Sequence, residues 1–429
     1  MVRKTLRGTV FWGMDALKGK TIKQNYNDIK QIMESNTSNL KRLQSICNHA
    51  YDTVPFYIPL KSSNFSDLPV VTKNHYKEMY TSFQSQKHLN NVYHQMSTSG
   101  STGTPFTVNQ DKAKRERTMA EVIYFNEIEG QTLGQKYMYF KAWPEKKTTI
   151  EKLKQNLVPI DILRLDEEAL ESIRRTLQND KHINSCLAYA SSYEILSNYI
   201  YEKGDTPDMY NLKVIFSSSS LLKEETREKL EKIFGCPIID RYSNQENGIL
   251  AQTKSNDRVF RVNRASYFIE LLKLDSDEPV NAGELGRIVV TDLYNHAMPI
   301  IRYDTGDLAI SDDLDRYNIS TLRSIQGRRI DMVYDAQGNV LTPHTISVHM
   351  KRYKKLKQWQ FIQEDKTYYI LKVNGAEGIY TENDFIDSFK GILGEDARID
   401  VKFVNEIPVL ASGKFKNTIC NYKVPERVK

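Results

Sequence analysis

The sequence predicts an α/β protein: a large N-terminal domain of β-sheets and packed helices, followed by a small α+β C-terminal domain. Three observations carry this reading. Residues 160–235 alternate helical stretches with short apolar runs, such as Leu187-Ala188-Tyr189-Ala190 and Val214-Ile215-Phe216, the pattern of strand–helix units. Residues 258–310 turn β-rich, with Arg261-Val262, Tyr267-Phe268-Ile269 and Arg287-Ile288-Val289-Val290. A hinge reads at Gly327 to Asp331, and the roughly one hundred residues beyond it suffice for a second domain. The expected division is therefore 1–326 and 327–429.

The elements follow in chain order. Thr9 to Met14 form a short apolar stretch that Asp15 ends. It is too short to span a membrane and lacks a cleavage site, so it reads as a helix docked on the core. Residues 20–60 are helical in period, with Ile29, Ile32, Leu40, Leu43, Ile46 and Ala50 on one face, and Pro55 ends the element. Val92 to Met96 and Phe106 to Val108 are β-prone and flank the run Ser97 to Pro105. A charged helix covers about 110–130, and a further amphipathic helix over 223–234 stops at Gly235. Lys351 to Lys357 reads as a solvated, basic helix face. His94 reads as a satisfied core histidine on the strand ahead of the small-residue run.

Bulk composition excludes several classes. With 40% hydrophobic and 27% charged residues in 429, the chain has enough apolar material for a full core and is not a disordered segment. The net charge of +6 is modest and mixed along the sequence, so no nucleic-acid stripe is expected. Cys47, Cys186, Cys236 and Cys420 are widely spread with no Cys-x-x-Cys, which argues against a zinc knuckle or a disulfide framework and fits a reducing cytoplasm. No internal repeat and no integral membrane segment are read.

The run Ser97-Thr98-Ser99-Gly100-Ser101-Thr102-Gly103-Thr104-Pro105 carries the most chemistry. Hydroxyls and free backbone N–H groups can surround an anion, and the glycines allow close backbone approach. It lacks the Lys of a Walker loop and the dinucleotide glycine fingerprint, and a flexible linker is its rival reading. Three later segments are each ambiguous alone. Arg241 to Gly248 is a ligand rim or a surface turn. Pro299 to Leu308 places Asp307 after a glycine turn, as an acceptor for sugar hydroxyls or as a turn stabiliser. Ser412-Gly413-Lys414 presents a lysine on a flexible turn, where a solvated side chain is the plain alternative.

Taken together, order and spacing resemble the adenylate-forming (acyl-AMP) enzyme superfamily, nearest the phenylacetate–CoA ligase and capsule-biosynthesis CapK-like branch. The resemblance rests on the Ser97–Thr104 loop, Tyr242 to Glu246, Gly283-Glu284-Leu285-Gly286, Arg302 to Asp307, Gly327 to Asp331 and Ser412-Gly413-Lys414. An N-terminal signature, Asn48 to Tyr57 and then Asp67 to Lys73, supports the branch.

The resemblance implies ATP-dependent activation of a small carboxylic acid to an acyl-adenylate with release of pyrophosphate, then transfer to coenzyme A or an amine. It implies that Ser97, Thr98, Ser99, Gly100, Ser101, Thr102, Gly103 and Thr104 hold phosphates. Glu246 would ligate Mg2+, Asp307 and Arg328 would hold the ribose, and Tyr242 and Ser219 would flank the adenine. Lys414, Glu246 and Arg302 form the expected catalytic set, with Lys414 on a mobile lid. Ala190 to Tyr193 would wall the acyl pocket, a helix N-terminus being the alternative. The sequence departs from the pattern at Phe106, where many members carry Lys, at Ser243 and Gln245, at Asp304 in place of Arg, at Ile330, and at Ser217 to Ser220. A non-catalytic nucleotide-binding relative is the competing function.

Overall fold

The computed structural model describes residues 5–35, 38–90, 94–97, 106–141, 148, 155–315, 317–328, 331–350, 352–375, 378–408 and 416–422. The chain divides into two compact units. One is Met1–Thr305 with Ala309–Ser324, and the other is Gly306–Leu308 with Ile325–Lys429. The chain enters the second unit for good at Ile325, two residues before the expected hinge.

The first unit begins with α1 (Leu6–Leu17), α2 (Thr21–Glu34), α3 (Leu40–Thr53) and α4 (Lys73–Glu78). A short antiparallel hairpin follows, β1 (His94–Ser97) and β2 (Thr107–Gln110), and then α5 (Lys112–Glu127). Next come β3 (Lys136–Lys141), β4 (Leu157–Asp161), α6 (Glu167–Asn179), β5 (Ile183–Tyr189), α7 (Ala190–Glu202), β6 (Val214–Ser218), α8 (Glu224–Phe234) and β7 (Ile238–Asn244). The antiparallel run β8 (Gly248–Lys254), β9 (Asp257–Val262), β10 (Tyr267–Leu272), β11 (Leu285–Asp292), β12 (Tyr303–Ile310) and β13 (Thr321–Leu322) completes the unit.

The large sheet has the order β13-β9-β8-β7-β6-β5-β3-β4. Its β4-β3-β5-β6-β7 half is parallel, and β7 to β9 are antiparallel. Helices α6, α7 and α8 cover the parallel half because their apolar residues recur at helical spacing. Leu170, Ile173 and Leu177, then Leu196 and Ile200, then Leu230, Ile233 and Phe234 pack on Met138, Phe140, Cys186, Ile215 and Ile238. Gly235 ends α8 in the left-handed conformation, φ 61°. Ligands of such sheets meet the carboxyl ends of the parallel strands. Here those ends are Asp161, Lys141, Tyr189, Ser218 and Asn244.

The apolar face expected over 20–60 is split between two helices and two cores. Ile29 and Ile32 on α2 pack with Ala120, Tyr124 and Phe125 of α5. Leu43, Ile46 and Ala50 on α3 join Tyr57, Tyr76, Phe83 and Phe106. Leu40, at the start of α3, is exposed. The N-terminal stretch is a helix, but only one side of it docks: Gly8 and Asp15 are buried, while Leu6, Val10, Met14 and Leu17 face solvent. His94 is half-buried on β1, with its Nε2 3.0 Å from the Met96 sulfur, so it is not a core histidine.

The second unit contains β14 (Ser324–Arg328) from Ile325 on, the hairpin β15 (Val333–Tyr334) and β16 (Val340–Leu341), and α9 (Pro343–Met350). A sheet of order β19-β18-β17-β20 follows, built from β17 (Gln358–Gln363), β18 (Tyr368–Asn374), β19 (Arg398–Phe403) and β20 (Thr418–Cys420). Helix α10 (Glu382–Leu393) packs Phe385, Phe389 and Leu393 onto Phe361, Tyr369, Leu371 and Val373. A reciprocal cap starts it: Thr381 Oγ1 accepts from the Asp384 N–H, and the Asp384 carboxylate accepts from the Thr381 N–H at 2.7 Å. The basic run is solvated as expected but not helical over 352–357. Successive turns carry it into β17, with the Lys357 N–H donating to Asn374 O at 2.8 Å and Tyr353 turned inward.

Candidate active site

In the first unit the hairpin β1–β2 presents the small-residue run. Ser97 stands opposite Thr107, and their hydroxyls are 3.0 Å apart, so the strands that flank the run are tied together. Thr98, Ser99, Gly100, Ser101, Thr102, Gly103 and Thr104 lie outside the described residues. Phe106, the departure from Lys, is buried against the rings of Tyr76 and Tyr303 at 5.5 and 6.0 Å. It serves the core and offers no charge.

Glu246 sits in the turn between β7 and β8. Its neighbours are arranged around backbone carbonyls. Gln110 Nε2, on the strand leaving the small-residue run, donates to Glu246 O at 3.3 Å. The Asn247 N–H donates to Asn244 Oδ1 at 2.9 Å and closes an Asx turn. Gly248 has φ 126°, and a Cβ there would come within 2.9 Å of the Tyr267 hydroxyl. That hydroxyl donates to Asn247 O at 2.6 Å and accepts from Lys114 Nζ at 2.9 Å. Lys114 in turn pairs with Asp292 at 2.6 Å, both side chains being fully buried. Glu121 Oε2 lies 3.4 Å from the same hydroxyl. Burial raises the Glu121 carboxyl above its ordinary value, despite the opposing pull of Lys114 and Arg117.

The Glu246 carboxylate is itself held. Tyr303, buried on β12, donates its hydroxyl to Glu246 Oε1 at 2.9 Å. In the same turn Asn244 and Asn247, and on β2 Gln110, carry buried side-chain polar atoms with no partner. Among the described residues no three His, Cys, Asp or Glu side chains cluster as a metal cage. A single carboxylate amid neutral oxygen donors fits a hard cation that takes its remaining ligands from water and phosphate.

Tyr242 and Ser219 leave neighbouring strands, with Ser217 opposite Asp240 in the β6–β7 register. Tyr242 is half-buried and its hydroxyl donates to Thr305 Oγ1 at 3.3 Å. Ser219 is exposed and holds φ 74°, a conformation L residues rarely adopt. Strain at the end of a parallel strand, beside an aromatic side chain, is a common setting for a ligand contact.

Arg302 does not reach out from the protein. It is buried at φ 47°. Nε and Nη2 meet Glu270 at 3.2 and 3.1 Å, and Nη1 donates to Ser66 O at 2.6 Å and Leu68 O at 2.5 Å. A bidentate buried pair of this kind fixes geometry. It ties the Arg302–Asp307 segment to the Asp67–Lys73 signature, where Val71 N and O also bond Arg302 O and Asp304 N, each at 2.9 Å. Asp304, the departure from Arg, is matched by Arg287 at 3.1 Å.

In the second unit Asp307 and Arg328 come together, with Nε 3.8 Å from Oδ1. The contact is loose, and Arg328 remains 47% exposed. Gly327 is tightly seated at φ 93°, since a Cβ would lie 3.1 Å from Pro343. Lys414 lies outside the described residues. Lys416, two positions on, pairs with Asp331 at 2.6 Å.

Residues 333–421 match the model of the CapK C-terminal domain. Protein CapK of Staphylococcus aureus is 23% identical over 452 aligned positions, covering 98% of this chain and 96% of that protein. The crystal structure of 2-hydroxyisobutyryl-CoA ligase in the postadenylation state superposes with a TM-score of 0.67 at 17% identity, over 89% of this chain and 88% of the other. The chain is CapK-like, with the fold of the adenylate-forming enzymes. ATP-bound MatB from Rhodopseudomonas palustris shares that fold at a TM-score of 0.55 and 17% identity, over 74% and 65% of the two chains. In this CapK-like chain the sequence motifs did not reveal Tyr303, Lys114, Tyr267, Glu121 or Asp292. Tyr303 lies inside a motif and was legible as a candidate. The others stand in a helix and strands whose sequence carries no site signal.

Proposed function

We propose that the chain activates a small carboxylic acid with ATP and Mg2+, forming an acyl-adenylate and pyrophosphate, then transfers the acyl group to coenzyme A or an amine. The observation that carries this reading is the Glu246 turn: its carboxylate is oriented by Tyr303, its backbone carbonyl is bonded by Gln110 on the strand that leaves the small-residue run, and the flanking Asn244 and Asn247 carry buried side-chain atoms without a partner. The likeness to CapK and to CoA ligases supports it.

In this reading Ser97 to Thr104 hold the phosphates that leave, through hydroxyl and backbone donors. Glu246 holds Mg2+, which when bound neutralises phosphate charge. Tyr242 and Ser219 flank the adenine, and Asp307 accepts the ribose hydroxyls with Arg328 beside it. Lys414 brings positive charge to the carboxylate and α-phosphate in the transition state. Arg302, grouped with the catalytic residues by resemblance, acts as a positioning residue. Surface polysaccharide assembly, with a sugar amine as acceptor, is the setting the CapK likeness favours, and the cytoplasm is the proposed location.

ATP–pyrophosphate exchange over a panel of aryl, fatty, hydroxy and amino acids tests the reading. At least one acid should support exchange, and Lys414→Ala should abolish it while leaving ATP binding largely intact. Full exchange in Lys414→Ala removes the lysine from the mechanism. Silence across the panel, with ATP bound and Mg2+ present, favours a nucleotide-binding relative without catalysis.

A further inference from the structure

Helix α1 has two unlike sides. Gly8 and Asp15 face the protein, Gly8 within reach of Leu133 O and Asp15 capping α2 by accepting from the Ile22 and Lys23 N–H groups at 3.1 and 2.9 Å. At about 100° per residue, Leu6, Val10, Met14 and Leu17 fall on the opposite side. They are 82%, 55%, 52% and 91% exposed. Four large apolar side chains in one unbroken stripe are unusual on a solvated helix, where scattered single residues are the norm.

The charge around the stripe is one-sided. Arg7, Lys18 and Lys20 are exposed, and Lys23 lies 4.5 Å over the Trp12 ring at its edge. From Met1 to Asn27 the sequence holds six basic residues and one acid, and that acid is the buried Asp15. These 27 residues thus account for +5 of a net +6. A protein partner or a second copy of this chain would need acidic groups to meet the basic rim. The same helix supplies none to a copy of itself.

We propose that α1 is a peripheral membrane anchor that lies flat on an anionic bilayer. Leu6, Val10, Met14 and Leu17 enter the acyl boundary, while Arg7, Lys18 and Lys20 stay among the headgroups. Twelve helical residues extend about 18 Å, well short of a hydrocarbon core of about 30 Å, so the helix lies in the interface and does not cross it. No helix among the described residues is long and apolar enough to span a membrane, so attachment through α1 is reversible. The anchor would hold the chain at a surface without changing its proposed chemistry.

Co-sedimentation of the full chain with vesicles tests this. The probe is a mixture of roughly seven parts phosphatidylcholine to three parts phosphatidylglycerol, compared with phosphatidylcholine alone. The chain should partition onto the mixed vesicles, about tenfold less onto the neutral ones, and less again at high salt. Leu6→Ser with Leu17→Ser should weaken partition by about tenfold or more, and Lys18→Gln with Lys20→Gln should remove the preference for the anionic lipid. All four side chains are exposed, so an unchanged melting curve separates lost binding from lost fold. Failure of the wild-type chain to bind the mixed vesicles overturns the proposal, as does binding that ignores the Leu substitutions. A dimer in sedimentation equilibrium that the Leu substitutions dissolve, without vesicle binding, overturns it in favour of a second copy.

Discussion

Glu246 lies in a turn and Asp307 on β12, where the strand runs on through Gly306 in place of the expected glycine turn, and the surroundings of the two acids differ. Glu246 is buried, held by Tyr303 and backed by the Lys114–Asp292–Tyr267 network. Asp307 has a loose contact with a half-exposed arginine. The first arrangement is preorganised at the cost of burying charge. The second is more exposed, with the Arg328 side chain about half in solvent. A carboxylate meant for a cation gains from fixed geometry, since a hard cation tolerates little misplacement. The proposed ribose contact at Asp307 would need only ordinary hydrogen bonds.

The contrast can be tested from the strongest expected effect downward. Lys114→Met leaves Asp292 buried without its cation and Glu121 with Arg117 alone, and should lower stability by about 3–5 kcal/mol in urea denaturation. A loss below about 1 kcal/mol would show that the network is not braced by charge. Gly248→Ala sets a Cβ against the Tyr267 hydroxyl at a φ that disfavours L residues, so a loss of about 2 kcal/mol is expected, with weakened Mg2+ dependence of exchange. Tyr303→Phe removes one bond to Glu246 and little volume. It should cost about 1 kcal/mol in stability and raise the Mg2+ concentration needed for half-maximal exchange several-fold, which a purely structural tyrosine would not do.

The pH dependence of stability probes Glu121. Its carboxyl is raised in the folded state, so its favourable contribution is fully present below its unfolded value and is lost as pH rises through the folded value. Glu121→Gln should therefore stabilise the chain at alkaline pH, and the gain should fade as pH falls toward the ordinary carboxyl value of 4.5. A constant gain at all pH values would assign the effect to packing. At the far end of the scale, Arg328→Ala should change stability by less than about 0.5 kcal/mol while raising the KM for ATP. Equal effects on folding at Arg328 and Lys114 would erase the distinction.

Local pattern sufficed for much of this. The strands flanking Ser97–Pro105, the strand–helix alternation over 160–235 and the stop at Gly235 follow from composition and spacing. What failed was any feature set by distant partners. Lys114, Arg117 and Glu121 fall in what reads only as a charged helix, with nothing to mark them as buried. Their burial depends on Asp28, Ser266, Tyr267 and Asp292, which no window around α5 contains. Leu40 continued an apolar period on paper, but the chain breaks between α2 and α3 and the phase is lost. Arg302 enters the expected catalytic set by resemblance alone, and its side chain turns inward to Glu270.

The Arg302 clamp also bears on how the chain is made. The carbonyls of Ser66 and Leu68 wait for a donor 236 and 234 residues further along. At ribosomal speeds of about 5–20 residues per second, the nascent N-terminal segment stays incomplete for roughly 12–47 s. Rare codons or pauses ahead of residue 302 would lengthen that interval, and with it the time in which the apolar surface around Tyr57 and Phe83 is open to chaperones or to misassembly.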